Sequence, residues 1–242
     1  MFLFFGLHSY ILIASAVIPA LLLMYYVYRS DRLDRESPYL LRRLVLAGIF
    51  STLTSVVLEE IGIGILDRAV SSRSALYPIL EFFLIVAFAE EGSKFFFMYR
   101  TTWRSAEFNC QFDGVVYATF ISLGFALWEN IKYVLRYGFS TSLIRAVTAI
   151  PGHACFGVFM GVWYGLSKRF DRRGNRAASL VCRSMALLMP ALLHGTYDYI
   201  ATTERAPYAW VFVCFVVCLF LVSFLLVHYA SRHDRYLSSY GR

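Results

Sequence analysis

Long apolar runs alternate with short polar segments along most of the chain. Seven of these runs reach about 20 residues, the length that an α-helix needs to cross a bilayer. No alternating pattern typical of strands competes with them, and in lipid a helix satisfies its own backbone polar groups. The sequence therefore predicts an all-α polytopic membrane protein, a bundle of about seven transmembrane helices. The predicted helices span about residues 8–28, 44–66, 75–99, 113–136, 142–167, 177–201 and 207–229.

Composition indicates a single membrane domain. Of the 242 residues, 59% are hydrophobic and 16% are charged, whereas soluble domains are about 45–50% apolar and about 25% charged. No linker, repeat or low-complexity tract divides the chain. We therefore expect one integral membrane domain over residues 1–242, with the lipid bilayer as a partner. The five cysteines have no metal-like spacing and are typical of apolar packing residues.

Lys and Arg are unevenly distributed between alternate loops. Most of them fall in the loops after the first, third and fifth predicted helices and in the C-terminal tail. Because cytoplasmic loops are enriched in Lys and Arg, this pattern predicts an N-terminus outside and a C-terminus in the cytoplasm. The net charge of +7 comes mostly from these loop arginines, so it indicates membrane topology and no nucleic-acid partner.

Ionisable side chains interrupt the third predicted helix at membrane depth, where Glu90, Glu91 and Lys94 follow one another closely. A charged side chain near the bilayer centre costs about 2.5–3.5 kcal/mol or more, so these residues need partners. Lys94 lies four and three positions after the two carboxylates and is expected to neutralise them. A carboxylate held in such surroundings is a candidate general base.

The next three predicted helices each add a polar group at membrane depth. Glu129 lies on the fourth, His153 on the fifth, and His194 and Asp198 on the sixth. His194 and Asp198 are four positions apart, so the carboxylate can orient the imidazole. We expect Lys132 to pair with Glu129 or to extend towards the interface. The candidate catalytic residues are therefore Glu90, Glu91, Glu129, His153, His194 and Asp198.

Carboxylates and imidazoles in this combination suit two hydrolytic designs. They can activate a water molecule directly, or they can bind a divalent metal such as zinc, with Glu129, His153 and His194 as the expected ligands. The same groups also suit a proton relay in a transporter or channel. They equally suit a scaffold whose buried charges set the helix register. The lack of an internal repeat counts against a transporter.

Depth along the helices separates these acidic residues. Glu59 and Glu60 end the second predicted helix near the outer face, where we expect solvated or interfacial carboxylates. Glu90 lies about 9 residues from the cytoplasmic end of its helix, whereas Glu129 and His194 lie about 7 from the outer ends of theirs, which leaves a depth gap of about 12 Å. A single site requires that tilt or longer helices close this gap.

The motifs together resemble the PrsW family of intramembrane proteases, within the CAAX-protease and bacteriocin-processing superfamily. The Glu pair followed by a basic residue corresponds to Glu90-Glu91-Gly92-Ser93-Lys94, and the Phe followed four positions later by Glu corresponds to Phe125 and Glu129. The His ahead of a Gly-rich helix corresponds to His153. The His with Asp four positions on corresponds to His194 and Asp198. The resemblance covers the motif-bearing core at about residues 75–200.

This resemblance implies an endopeptidase of the bacterial cytoplasmic membrane that cuts membrane-anchored proteins or peptides. An anti-sigma factor, cut at the first site of a regulated cascade, is one such substrate. The resemblance leaves open whether the enzyme is a metalloprotease or a glutamate-dependent protease. It also leaves open whether Glu90 or Glu91 is the base.

Overall fold

The computed structural model describes residues 2–137, 139–203 and 206–237, and helices form most of this part of the chain. Five helical stretches in this part of the chain are long and apolar enough to cross a membrane. This confirms the predicted all-α polytopic architecture. In chain order the elements are α1 (Phe2–Ser30), α2 (Pro38–Ala69), α3 (Leu76–Ile79), a π-helical segment (Leu80–Val86), α4 (Ala87–Thr102), α5 (Asp113–Tyr137), α6 (Phe139–Val147), α7 (Ala149–Arg172), α8 (Arg176–Ala201) and α9 (Ala206–Arg232).

Two of the predicted helices are not regular. The predicted helix 75–99 consists of α3, the π-helical segment and α4 in succession, and α4 continues to Thr102. The predicted helix 142–167 is broken at Thr148, whose φ of −120° and ψ of −65° lie outside the helical region. The break separates the short helix α6 from α7. Both segments are helical on either side of these irregularities.

Helix α5 is the centre of the bundle and packs against α1, α2, α4, α6 and α7. All its residues from Asp113 to Leu127 are buried, as expected for a helix that is apolar around its whole circumference. Its contact with α7 is close because a Cβ on Gly114 or on Gly161 would collide with the backbone of the other helix. The small-residue stripe of α7, which also contains Gly157 and Gly165, permits this approach.

Three polar segments meet at one end of the bundle. The C-terminal tail forms an antiparallel bridge between Cys110 and Tyr236. Ser37 donates its backbone N–H to a carboxylate oxygen of Glu107 over 2.8 Å. This end is the one that the distribution of Lys and Arg predicts to be cytoplasmic. The segments are residues 31–37, 103–112 and 233–237.

Glu36, in the loop between α1 and α2, provides a pH-dependent contribution to stability. The residue is 4% exposed, and burial together with the nearby carboxylate of Asp113 raises the pKa of Glu36 to about 9. Between the ordinary pKa of a Glu side chain and pH 9, the folded chain therefore holds a proton on Glu36 that the unfolded chain releases. The free energy of unfolding should fall as pH rises through this window, by up to about 1.4 kcal/mol per pH unit.

We predict that Glu36→Gln flattens this dependence, because an amide does not titrate. Thermal unfolding of the detergent-solubilised protein at pH 6 and pH 9 measures the effect. The variant should melt above wild type at pH 9 and lose less of its melting temperature between the two pH values. Glu60→Gln, on the exposed surface of α2, is the matched control and should follow wild type. Parallel curves for wild type and Glu36→Gln would show that Glu36 is ionised in the folded protein.

Candidate active site

The charged residue at the centre of the bundle is Lys94 of α4, whose side chain is fully buried. Its Nζ donates to Glu91 Oε1 over 2.7 Å and to Glu90 Oε2 over 3.3 Å. The same nitrogen lies 3.2 Å from Nδ1 of His153 and 4.0 Å from the centre of the Phe125 ring. Because an ammonium group only donates, Nδ1 of His153 must accept, which leaves the imidazole proton on Nε2.

On its other side, His153 contacts a second ion pair, which Glu129 forms with Arg145. Its Nε2 lies 2.9 Å from Glu129 Oε2, and Arg145 of α6 donates to the same carboxylate oxygen over 2.7 Å. Arg145 therefore makes the pairing that was one of the two expectations for Lys132, whose side chain is exposed instead. Arg145 lies within the predicted helix 142–167. Its position within an apolar run was the available signal.

His194 of α8 approaches the same cluster from the opposite side. Its Nδ1 lies 2.9 Å from Glu91 Oε1, and its Nε2 lies 3.3 Å from Asp198 Oδ2 and 3.9 Å from Glu90 Oε2. The imidazole stacks on Phe156 with ring centres 4.9 Å apart. These contacts close the apparent depth gap, in part because α4 continues three residues beyond its predicted end.

A polar cavity of about 370 Å³ borders this cluster. Glu90 lines the cavity and its side chain is 10% exposed, whereas the side chain of Glu91 is fully buried. The cavity extends to Tyr133 and Thr202, near the C-terminal ends of α5 and α8. Glu59, expected at the interface, also lines it. The other candidates from the sequence that line the cavity are Glu129, His153, His194 and Asp198.

The structure also tests whether these residues suit a metal ion. Within the described part of the chain, one group of donor atoms lies within 4.8 Å of one another: Glu90, Glu91 and His153. Glu129 and His194, two of the three ligands expected from the sequence, are not in this group. The ammonium of Lys94 lies between these three side chains, at 2.7–3.3 Å from one possible ligand atom of each. The cation position is therefore taken by a lysine, and the donors do not suit a metal while Lys94 stays there.

The π-helical segment lies directly before this cluster in the chain. Its Phe83 packs against α8, where a Cβ on Gly195 would collide with the Phe83 side chain. Short π-helical stretches inside α-helices occur frequently at functional sites. Here the segment fixes the approach of α4 to α8, and so the contact between Glu91 and His194.

Comparisons with known proteins identify the family of the chain. The family described as "PrsW family intramembrane metalloprotease" matches residues 36–227. "Protease PrsW" of Halalkalibacterium halodurans is 30% identical over 224 residues, which cover 93% of this chain and 99% of the relative. "Protease PrsW" of Bacillus subtilis is 31% identical over 210 residues, which cover 87% of this chain and 90% of the relative. No solved structure matches the chain.

The transporter alternative is not favoured by these matches, which extend over the helices that carry the polar cluster. The family and its relatives are proteases by description, and apolar helices of membrane-spanning length carry the shared segment. Because the family match covers most of its length, the chain belongs to the PrsW family and is an intramembrane protease, acting on a protein substrate within the membrane.

Proposed function

We propose that this protease hydrolyses a membrane-anchored protein with a water molecule activated by Glu90. The observation that carries the proposal is the difference between the paired carboxylates. Glu90 borders the cavity, whereas Glu91 is sealed behind it and accepts from both Lys94 and His194. A base must reach the proton that it removes, directly or through one water. Glu90 meets this condition and Glu91 does not.

The distance between Glu90 and His194 suggests where the water binds. Nε2 of His194 and Oε2 of Glu90 are 3.9 Å apart, which is too long for a direct hydrogen bond and suits a bridging water. In the proposed reaction, Glu90 takes a proton from this water and the hydroxide attacks the carbonyl carbon of the scissile peptide bond. Glu90 then returns the proton to the leaving amine. Asp198 holds the imidazole of His194 in the required orientation.

The other members of the cluster position Glu90. Lys94 offsets the negative charge of Glu90 and Glu91, and His153 accepts its third N–H. Both ring nitrogens of His153 are used in this way, one by Lys94 and one by Glu129. We therefore assign His153 and Glu129 to positioning rather than to direct contact with the water.

The direction in which the cavity extends supports a substrate bond in the outer half of the membrane. It reaches the ends of α5 and α8 that the positive-inside rule predicts to be outside. We propose cleavage of a single-span protein close to that face of a bacterial cytoplasmic membrane. An anti-sigma factor is the substrate that the family resemblance suggests.

The family description implies a metal, and the position of Lys94 argues against one. We predict that purified protein in detergent cleaves a quenched peptide library at an unchanged rate after treatment with EDTA or 1,10-phenanthroline. A zinc protease treated in the same buffer provides the positive control for chelation. Loss of cleavage on chelation, followed by recovery with added Zn²⁺, would replace the direct mechanism with a metal-dependent one.

A further inference from the structure

Arg145 approaches the active site from a helix that does not itself cross the membrane. Helix α6 has nine residues, about 14 Å of length, and ends at the break next to Thr148. The Arg145 side chain is 17% exposed and lies 3.7 Å from the centre of the Tyr133 ring. Its Nε donates to Asn130 Oδ1 over 3.2 Å. The guanidinium is thus held against α5 by two contacts in addition to Glu129.

The hydrogen bonds from Arg145 to Glu90 form a chain with fixed directions. Arg145 and Lys94 can only donate, and an ionised Glu129 can only accept. His153, between Lys94 and Glu129, therefore accepts at Nδ1 and donates at Nε2. Each link depends on the one before it, because reversing one donor leaves two donors or two acceptors facing each other.

We infer that Arg145 is a positioning residue, which keeps Glu129 as an acceptor and thereby maintains the donor directions from His153 to Lys94. Without the guanidinium, Glu129 Oε2 would keep the contact with Nε2 of His153 but lose its ion pair with a cation. The carboxylate would be free to rotate away from Nε2 of His153, and the ring proton would no longer be held on that nitrogen and would be free to occupy Nδ1. Nδ1 would then face the N–H of Lys94, and the ammonium would be displaced from Glu90.

This inference rests on the proposed active site and makes a distinct kinetic prediction. Arg145→Met should lower kcat by about 10–100-fold while KM stays within about twofold, because the residue acts on the positioning of Glu90. Adding Glu129→Gln should recover at least about fivefold of the lost kcat, since the two residues are directly coupled. The amide oxygen that replaces the carboxylate would still accept from His153, and the amide would carry no charge that requires Arg145.

Four proteins should be assayed well below their melting temperatures: wild type, Arg145→Met, Arg145→Met with Glu129→Gln, and Arg145→Lys. Arg145→Lys retains the charge and should fall between wild type and Arg145→Met. The dependence of kcat on pH should differ from wild type in Arg145→Met and return towards it in the double variant. Arg136→Met, at an exposed arginine near the end of α5, is the matched control and should behave as wild type.

Three results would overturn the inference while Glu90→Gln remains inactive. An unchanged kcat in Arg145→Met would show that Arg145 only joins α5 to α6. A raised KM with normal kcat would assign it to substrate binding. A double variant no more active than Arg145→Met would show that Glu129 is needed for its own charge. If Glu90→Gln is itself active, the proposed function fails and not this inference alone.

Discussion

Replacing Glu90 by Gln should lower kcat by about 10²–10⁴-fold, the usual contribution of a general base. The amide matches the carboxylate in shape, and its oxygen can still accept from Lys94, so the fold should be retained. The measurement is cleavage of a quenched peptide by purified variant and wild type in detergent. Melting temperatures measured in parallel distinguish a lost base from a lost structure.

Glu91→Gln is the matched control for this prediction. Glu91 accepts from Lys94 and from His194 without reaching the cavity, so its replacement should lower the melting temperature and reduce activity less than Glu90→Gln does. The reverse pattern, with Glu90→Gln active and Glu91→Gln inactive but stable, would transfer the role of base to Glu91. Full activity in the variant that combines both changes, with folding intact, would exclude the glutamate mechanism.

Replacing Lys94 by Met should be among the most destabilising single changes in this protein. All three N–H groups of Lys94 face acceptors inside the bundle, and Met leaves two carboxylates there without a cation. Removing one partner of a buried ion pair typically costs about 3–5 kcal/mol. We expect a lower melting temperature in detergent and loss of cleavage, because Glu90 is then displaced or protonated.

Two further variants separate charge from packing at this position. Lys132→Met changes an exposed lysine and should leave the melting temperature unchanged. Lys94→Met combined with Glu91→Gln has one buried charge fewer and should recover part of the lost stability. A melting temperature for Lys94→Met equal to that of wild type would show that the Glu pair does not need the ammonium.

Much of the architecture could be predicted because apolar length is a local property. A run of about 20 apolar residues has few structural options in lipid, so the predicted helices differ from the observed ones at their ends, in the π-helical segment and at the break near Thr148. The meeting of Glu90, His153 and His194 was also predictable, because a membrane-embedded charge requires a partner. Their catalytic and positioning roles remain predictions for the variants above.

Rotation and depth of the helices were not predictable in the same way. Lys132 lies three positions after Glu129 and is the nearer cation in the sequence, yet Arg145 makes the ion pair. The reason is that α6 packs against α5 and brings Arg145 to Glu129. No periodic pattern in the chain indicates this packing, since the sequence predicts one continuous helix over residues 142–167.

The sequence by itself determined the all-α membrane architecture, the presence of ionisable groups at membrane depth on four of the helices, and the family. Only the tertiary structure decided that Glu90 borders the cavity while Glu91 is sealed behind it. It also decided that the ammonium of Lys94 lies among Glu90, Glu91 and His153, where a metal ion would otherwise bind. The physical reason is that neighbouring residues on a helix point about 100° apart. Which of them faces the cavity depends on how the surrounding helices pack.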